Sequence, residues 1–364
     1  MANRRQFLKI LGGGTILAAG GAGAFFSTRT PHKALAPWDA AGNYTDPRKR
    51  ALSYAILAPN PHNRQPWLVD LSQADTVVIW RDKAKYLPET DPFDRQLTIG
   101  MGCFIEQLAV AATDTGHQVE FDLFPEGDEG PVAIARFITG ASRDPLFDNI
   151  LQRRSNKEAF AAEIPDIPAA VAALADTYTD AGTVEKLRQL TWDAWLLEAS
   201  TYDKLKESTD LFRMGKSEVE ENPDGISFSG PFYEFAILTG MLTREGTLDA
   251  QSFEFKQAQQ MYNKVLMATP AYAVIKTQGN TRLDQIDAGR QWLRLNLTTT
   301  AVGLSLHPVS QALQEYEEMS TLYATAHELL AETGETVQML GRLGYGPEVP
   351  VTPRWPVENK VIDA

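Results

Sequence analysis

The first part of the chain alternates between helical and strand-like patterns of apolar residues. The strongest helical pattern is an i, i+3, i+4, i+7 series: Met101, Phe104, Ile105, Leu108 and Ala112. It predicts a buried helix from Gly100 that Gly116 can end. A shorter helix is predicted from Arg48, and it must stop before Pro59. Apolar runs between turn residues predict four strands, at 67–71, 76–80, 119–123 and 132–137.

The second part of the chain is predicted to be mostly helical. Helices are predicted over 167–215, 251–267, 289–304 and 309–333, and strands over 271–275 and 336–343. Residues 150–160 are expected to be helical or turn-like, and the Gly-, Pro- and Asn-rich stretch 216–231 is expected to be a break. The helices at 100–116 and 289–303 are each followed by a strand-like segment, so we expect a weak twofold repeat of structure.

The chain begins with a basic motif followed by an apolar run. Arg4 and Arg5 precede Phe-Leu-Lys, and the run from Ile10 to Phe26 is rich in Gly and Ala. This pattern resembles a twin-arginine signal at 1–26, which implies recognition by the twin-arginine export machinery and a periplasmic or otherwise exported protein. The signal is either cleaved near Ala24 or retained as an N-terminal membrane anchor. The alternative is a basic start on a small amphipathic anchor.

Residues 27–47 contain three prolines and two Gly-flanked turns, which predicts a linker with little structure. The folded core is expected to start at Arg48.

Composition excludes several classes of partner and site. The net charge is −13, with 34 Lys and Arg residues spread thinly, so nucleic acid is not an expected partner. Cys103 is the only cysteine, which excludes an internal disulfide and a cysteine metal cage. The five histidines have no spacing typical of a zinc site, so no metal is expected. Redox or group-transfer chemistry would therefore need a bound organic cofactor.

The most specific motif is the stretch from Leu57 to Trp67, in which two prolines hold the loop extended after a helix end. Its polar side chains could bind a planar heterocycle through hydrogen bonds. The pattern Ala-Pro-x-x-x-Asn-x-Gln-Pro-Trp resembles the hallmark loop of FMN-dependent nitroreductases, which lies beside the flavin ring. The resemblance implies flavin contacts from Pro59, His62, Asn63 and Gln65. The alternative is a proline-rich turn around a buried Trp67.

A second motif, Arg153-Arg154-Ser155-Asn156-Lys157, places cations and a hydroxyl where they suit a phosphate monoester. It resembles the nitroreductase segment that holds the FMN phosphate and ribityl oxygens, which implies these roles for Arg153, Ser155 and Lys157. The alternative is a solvated basic face.

Three weaker matches extend the resemblance. Arg354 fits one member of the family's downstream basic pair, although the other member is absent, so phosphate affinity is expected to be reduced. The alternative for Arg354 is a surface cation. The stretch 303–311 is similar to the segment whose backbone lines the flavin edge, which implies contacts from Pro308, Val309 and Ser310; Ser310 and Gln311 replace residues typical of the family there. Lys264 falls, in a gapped alignment, where a family lysine approaches the ring.

The order of the motifs implies a single-chain site. In nitroreductases each flavin takes the phosphate segment from one subunit and the Pro-Trp loop from its mate, whereas here the loop precedes the phosphate segment in one chain. The resemblance to the fused-half, Acg-like branch implies an α+β, three-layer α/β/α fold. We expect a monomeric pseudo-dimer with one FMN, of halves 48–144 and 145–364, the second with a lid-like insertion around 205–250.

The function implied by this resemblance is electron transfer through FMN to a small-molecule acceptor such as a quinone or a nitroaromatic compound. The donor is left open, because an exported enzyme meets little nicotinamide cofactor and a membrane or periplasmic redox protein could replace it. The alternative is a protein that sequesters flavin without turnover. A third possibility is a degenerate domain that has lost its flavin and serves as an interaction module.

Overall fold

A computed structural model of the chain describes residues 28–362, so the predicted twin-arginine signal lies outside the described residues. The helices are α1 (His32–Ala40), α2 (Pro47–Ala55), α3 (Arg95–Ala112), α4 (Ala169–Ala172), α5 (Ala181–Ser200), α6 (Tyr202–Asp210), α7 (Gly215–Glu221), α8 (Pro231–Leu238), α9 (Arg244–Leu248), α10 (Phe253–Met267), α11 (Arg282–Ala301) and α12 (Ser320–Leu330). Within 28–362, no helix combines the length and apolar character needed to cross a bilayer.

The strands form two main sheets and one small pair. They are β1 (Trp67–Asp70), β2 (Thr76–Arg81), β3 (His117–Leu123), β4 (Ala133–Thr139), β5 (Asp176–Tyr178), β6 (Phe212–Met214), β7 (Ile226–Phe228), β8 (Ala271–Thr277), β9 (Ser305–Pro308), β10 (Thr336–Gly344) and β11 (Val361–Ile362). Sheet 1 has the order β11-β1-β2-β4-β3, sheet 2 has the order β5-β8-β10-β9, and β6 pairs with β7.

The C-terminal tail returns to the first sheet. After β10, in sheet 2, the chain crosses over, and β11 pairs in parallel with β1 through Val69 and Val361. The predicted boundary at residue 145 therefore does not separate the two sheets cleanly, because the tail of the second half completes sheet 1.

Helices α3 and α11 cross at the centre of the molecule. A Cβ atom on Gly102 would collide with the backbone of α11, and one on Gly289 would collide with the backbone of α3. Cys103 Sγ donates a hydrogen bond to the carbonyl of Gly289 at 3.1 Å. The glycines therefore permit a close helix crossing, and the two helices predicted to be counterparts pack against each other.

Sheet 2 is buried on both faces. In β8, Ala271, Ala273 and Ile275 join the core that contains α3, α11 and sheet 1. The alternate residues Tyr272 and Val274 join a second core with α5, α10 and α12. This period-two alternation places helices on both sides of the sheet. The predicted mixed α+β fold is confirmed.

Two predicted segments were wrong. Residues 32–40 form helix α1 instead of an unstructured linker, because Trp38 donates from Nε1 to Thr352 O at 2.8 Å and Arg354 N donates to Ala34 O. Residues 309–319 contain two short 3-10 turns, Gln311–Leu313 and Glu317–Met319, instead of the start of a long α-helix. Val309 N donates to Leu340 O, and Leu313 O accepts from Arg95 Nη2 at 2.6 Å, so this backbone is held by distant partners.

Two other segments also differ from expectation. The predicted break at 216–231 contains most of α7 and all of β7, and residues 153–160 have no helix, only a bend. Both segments contain few apolar residues at helical or strand spacing. Their conformation therefore depends on tertiary contacts that a local pattern does not encode.

Candidate functional site

The Pro-Trp loop has an unusual backbone. His62, Asn63 and Gln65 all have positive φ, at 47°, 52° and 51°. Non-glycine residues rarely adopt this left-handed region, and a cluster of them is typical of ligand sites, where surrounding contacts hold the strain. The loop is fixed at one end by Trp67, which is fully buried and stacks on Phe104 at 4.7 Å.

Gln65 holds the loop through contacts with the protein backbone, and its role in flavin binding stays a prediction. Its side chain is 0% exposed. Nε2 donates to Pro223 O at 2.7 Å, and Oε1 accepts from Trp355 N at 2.9 Å. Both ends of the amide are therefore engaged by the protein backbone, and Gln65 joins the loop to the 205–250 insertion and to the C-terminal tail.

The second and third predicted motifs meet at the end of α2. Arg153 Nη2 donates to Leu57 O at 2.9 Å, and Arg354 Nη2 donates to the same oxygen at 3.1 Å. Arg354 Nη1 also donates to Asn63 Oδ1 at 2.7 Å. The loop, the phosphate-type segment and the tail are therefore joined by direct hydrogen bonds, and Arg354 is buried rather than a surface cation.

These arginines have no carboxylate partner among residues 28–362. Arg153 Nη1 donates to the neutral Asn296 Oδ1, and the buried Nε atoms of Arg153 and Arg354 have no acceptor. Burial, and to a smaller extent the charge of Arg154, lower the pKa of Arg153 to about 10. The pKa of Arg354 is lowered to about 9, mainly by burial and then by the charges of Arg153 and Arg154. A buried excess of positive charge with unpaired donors suits an anion.

Lys157 lies close enough to the loop for its charge to act on His62. Its side chain is exposed to solvent, and burial of its charged group by the surrounding protein lowers its pKa. Burial, then the charges of Lys157 and Arg64, lower the pKa of His62 to about 4, so His62 is neutral at physiological pH and lies near Lys157. Ser155, between Arg153 and Lys157, is half-buried.

His307 and Arg342 form a buried pair that the sequence did not reveal. Arg342 Nη1 donates to His307 Nδ1 at 2.9 Å, and Arg342 Nη2 donates to Glu158 O at 3.0 Å. Because an arginine retains its proton, Nδ1 must be the acceptor, and the proton of the neutral imidazole is on Nε2. Burial, Arg342 and Lys157 together hold the pKa of His307 well below its usual range.

Asp224 lies in the predicted insertion, but no sequence motif indicated its buried ion pairs. It is 2% exposed and pairs with Lys85 and, at 2.7 Å, with Arg213. Burial would raise the pKa of Asp224, but hydrogen bonds from Lys85, Arg213 and Trp355 hold it at about 2. The neighbouring Gly225 N donates to Asn63 O at 3.2 Å, so Asp224 anchors the insertion beside the strained loop.

Helix α1 covers the arginine cluster. The ring of Trp38 lies 5.0 Å from the Arg154 guanidinium carbon and 5.8 Å from that of Arg354. Cation–π contacts of this kind stabilise cations that lack a counter-ion. Because Pro31 and Pro37 obscured the helix, no sequence signal placed Trp38 at the site.

The other residues predicted to bind flavin have no direct hydrogen bond to Arg153 or Arg354 among the contacts described above. Pro59 lies half-buried at the start of the loop, and Pro308 ends β9 beside the buried His307. Val309 N is engaged by Leu340 O, so it is not free to bind a ligand, whereas Ser310 is half-buried at the following turn. Lys264 is exposed in the last turn of α10 and makes no contact with the arginine cluster.

The chain is similar to proteins named as nitroreductases. No protein-family model matches it. It is 27% identical to "Putative NAD(P)H nitroreductase acg" of Mycobacterium tuberculosis over 335 residues. The aligned region covers 86% of this chain and 95% of the relative. It is 24% identical to Rv3131, a protein with the same description from that organism, over 85% of this chain and 92% of the relative.

Two solved structures show a distant likeness. The FMN-dependent nitroreductase NfnB of Mycobacterium smegmatis, in complex with NADPH, matches with a TM-score of 0.37 and 16% identity, over 59% of this chain and 96% of NfnB. A nitroreductase with bound FMN from Bacteroides fragilis matches with a TM-score of 0.33 and 12% identity, over 58% and 94% of the two chains.

Proposed function

We propose that the chain is an FMN-dependent oxidoreductase of the nitroreductase type, in which one chain forms the whole flavin site as a pseudo-dimer. The observation that carries this proposal is the meeting of Arg153 and Arg354 at Leu57 O, next to Asn63. Three segments far apart in sequence converge there on a buried cationic centre that has no carboxylate partner within residues 28–362. Long similarity to relatives named as nitroreductases supports the same reaction class.

The site residues fit FMN. The unpaired Nε atoms of Arg153 and Arg354, together with Ser155 and Lys157, would hold the phosphate and ribityl end. The strained loop at His62 and Asn63 would lie against the ring. FMN, when bound, supplies the electron-transfer chemistry, and the protein orients it. A neutral His62 and a neutral His307 with its proton on Nε2 are hydrogen-bonding groups that add no charge next to the flavin.

The proposed acceptor is a quinone or a nitroaromatic compound. Export by the twin-arginine route is part of the proposal, and outside the cytoplasm a redox protein would replace NAD(P)H as the electron donor. The relatives are named for NAD(P)H, so the nicotinamide cofactors are the first alternative donors to test.

Stopped-flow measurement distinguishes an enzyme from a flavin-sequestering protein. The purified holoprotein is reduced with dithionite or light under argon and mixed with menadione or a nitroaromatic acceptor. Rapid reoxidation of the flavin absorbance is expected for an oxidoreductase. Sluggish reoxidation with every acceptor would indicate sequestration instead, and a colourless protein would exclude both.

A further inference from the structure

Helix α8 presents an apolar face to solvent. Phe232 is 75% exposed, Phe235 57% and Leu238 69%, and Met241, just beyond the helix, is 50% exposed. The three helix residues are spaced by three, which places them along one side of the helix. Exposed apolar residues that occur singly need no explanation, but a contiguous group on one helix marks an interaction surface.

The outer face of α8 carries no charge. Between Pro231 and Leu242 the only charged residue is Glu234. It is 8% exposed, accepts a hydrogen bond from Lys216 N at 2.5 Å and lies 3.9 Å from Arg29 Nη1. The single carboxylate is thus turned toward the protein, where it tethers the helix.

The described part of the chain begins beside α8. Lys216 Nζ donates to Thr28 O at 3.2 Å, and the next residue, Arg29, pairs with Glu234 of α8. The preceding sequence from Ile10 to Phe26 is apolar. In sequence, this apolar stretch ends two residues before Thr28, where the described part of the chain begins. The described chain therefore begins beside the apolar helix α8 directly after an apolar stretch of sequence.

We propose that the apolar face of α8, formed by Phe232, Phe235, Leu238 and Met241, docks on a lipid bilayer. The helix is too short to span the membrane, so it lies in the interface with its aromatic residues among the acyl chains. Arg29 and Lys216, each partly exposed, flank the helix at the level of the lipid phosphates. This proposal does not depend on the proposed flavin chemistry.

Site-specific fluorescence in the full chain tests the proposal. Cys103 is 2% exposed, and burial raises its pKa to about 12, so it will not react with a thiol-directed dye. In the variant Phe235→Cys an NBD dye therefore labels one position on α8. The matched control is Leu283→Cys, which is 50% exposed on α11. Both proteins are mixed with vesicles of phosphatidylcholine containing a minority of phosphatidylglycerol.

With vesicles, the dye at residue 235 is expected to shift to the blue and to be quenched several-fold more by nitroxides on the acyl chains than the dye at residue 283. A water-like dye at residue 235 while the protein is bound to vesicles would overturn the proposal, and so would absence of vesicle binding. Without vesicles, iodide should quench both dyes. Protection of residue 235 from iodide in that sample would show that the N-terminal segment or a second copy covers α8, which also overturns the proposal.

Discussion

Arg153 and Arg354 donate to one carbonyl oxygen, that of Leu57, although they come from segments at opposite ends of the second half. Carbonyls just beyond a helix C-terminus attract cations, and one arginine would satisfy this one. The second arginine, together with the nearby Arg154, leaves positive charge that the described residues do not neutralise. An anionic ligand explains this excess better than a structural cap alone.

Loss of Arg153 should release flavin. In Arg153→Ala, we expect FMN to bind more weakly by roughly 2 kcal/mol or more, because the phosphate loses a charge-assisted partner. The flavin-to-protein absorbance ratio after dialysis measures this loss. The control is Arg136→Ala, which removes an exposed cation from β4. Equal flavin content in Arg153→Ala and the wild type would remove Arg153 from the phosphate site.

Breaking the Asp224 cluster should destabilise the loop. In Asp224→Asn, Lys85 and Arg213 lose their buried partner, and the free energy of unfolding should fall by about 3 kcal/mol. Because the folded-state pKa is held at about 2, the contribution is complete above the unfolded value of about 3.9 and is lost as the pH falls through about 2. Urea unfolding at pH 7 measures the difference.

Asp210→Asn serves as the control for Asp224, because Asp210 is exposed and pairs with Lys206 within one helix. Its effect should stay below about 0.5 kcal/mol. Equal effects of the two variants would show that Asp224 contributes no more than a surface ion pair.

Acid should destabilise the wild type partly through His62. The unfolded histidine titrates at about 6.5 and the folded one at about 4, so between these values the unfolded state binds more protons. Stability from this group is complete above about pH 6.5 and is lost as the pH falls toward 4. In His62→Gln the free energy of unfolding should decline less over this interval than in the wild type. Identical slopes for the two proteins would contradict a neutral, half-buried His62.

The crossing of α3 and α11 should not tolerate a methyl group. Gly102→Ala places a Cβ against the α11 backbone and should lower the free energy of unfolding by about 1–3 kcal/mol. Gly182→Ala, in the first turn of α5, meets only an ordinary contact and should be neutral or stabilising by up to about 1 kcal/mol. Thermal unfolding compares the two, and a tolerated Gly102→Ala would show that the helices can separate without cost.

The sequence predicted the elements with strong periodic patterns and the motifs of the loop and the phosphate segment. It located Asn63, Arg153 and Arg354 correctly in one cluster. It did not indicate that the Gln65 amide contacts backbone groups at both ends, because those partners, Pro223 and Trp355, are far away in the chain. It could not reveal Asp224 or Trp38, since their partners at Lys85 and Arg354 are far away in the chain and no local pattern encodes such contacts. Helix α1 was not predicted because Pro31 and Pro37 disfavour a helix in the local sequence, and the tertiary contacts that stabilise α1 are not visible there.

The buried arginines are proposed to bind the phosphate end of FMN. Riboflavin shares the ring and ribityl chain with FMN but lacks the phosphate. Titration of flavin-free, refolded full-length protein with each flavin, followed by quenching of flavin fluorescence, measures the contribution of the phosphate directly. We expect FMN to bind at least about 100-fold more tightly than riboflavin, consistent with two charge-assisted interactions. Equal affinity for the two flavins, or no binding of either, would contradict the account.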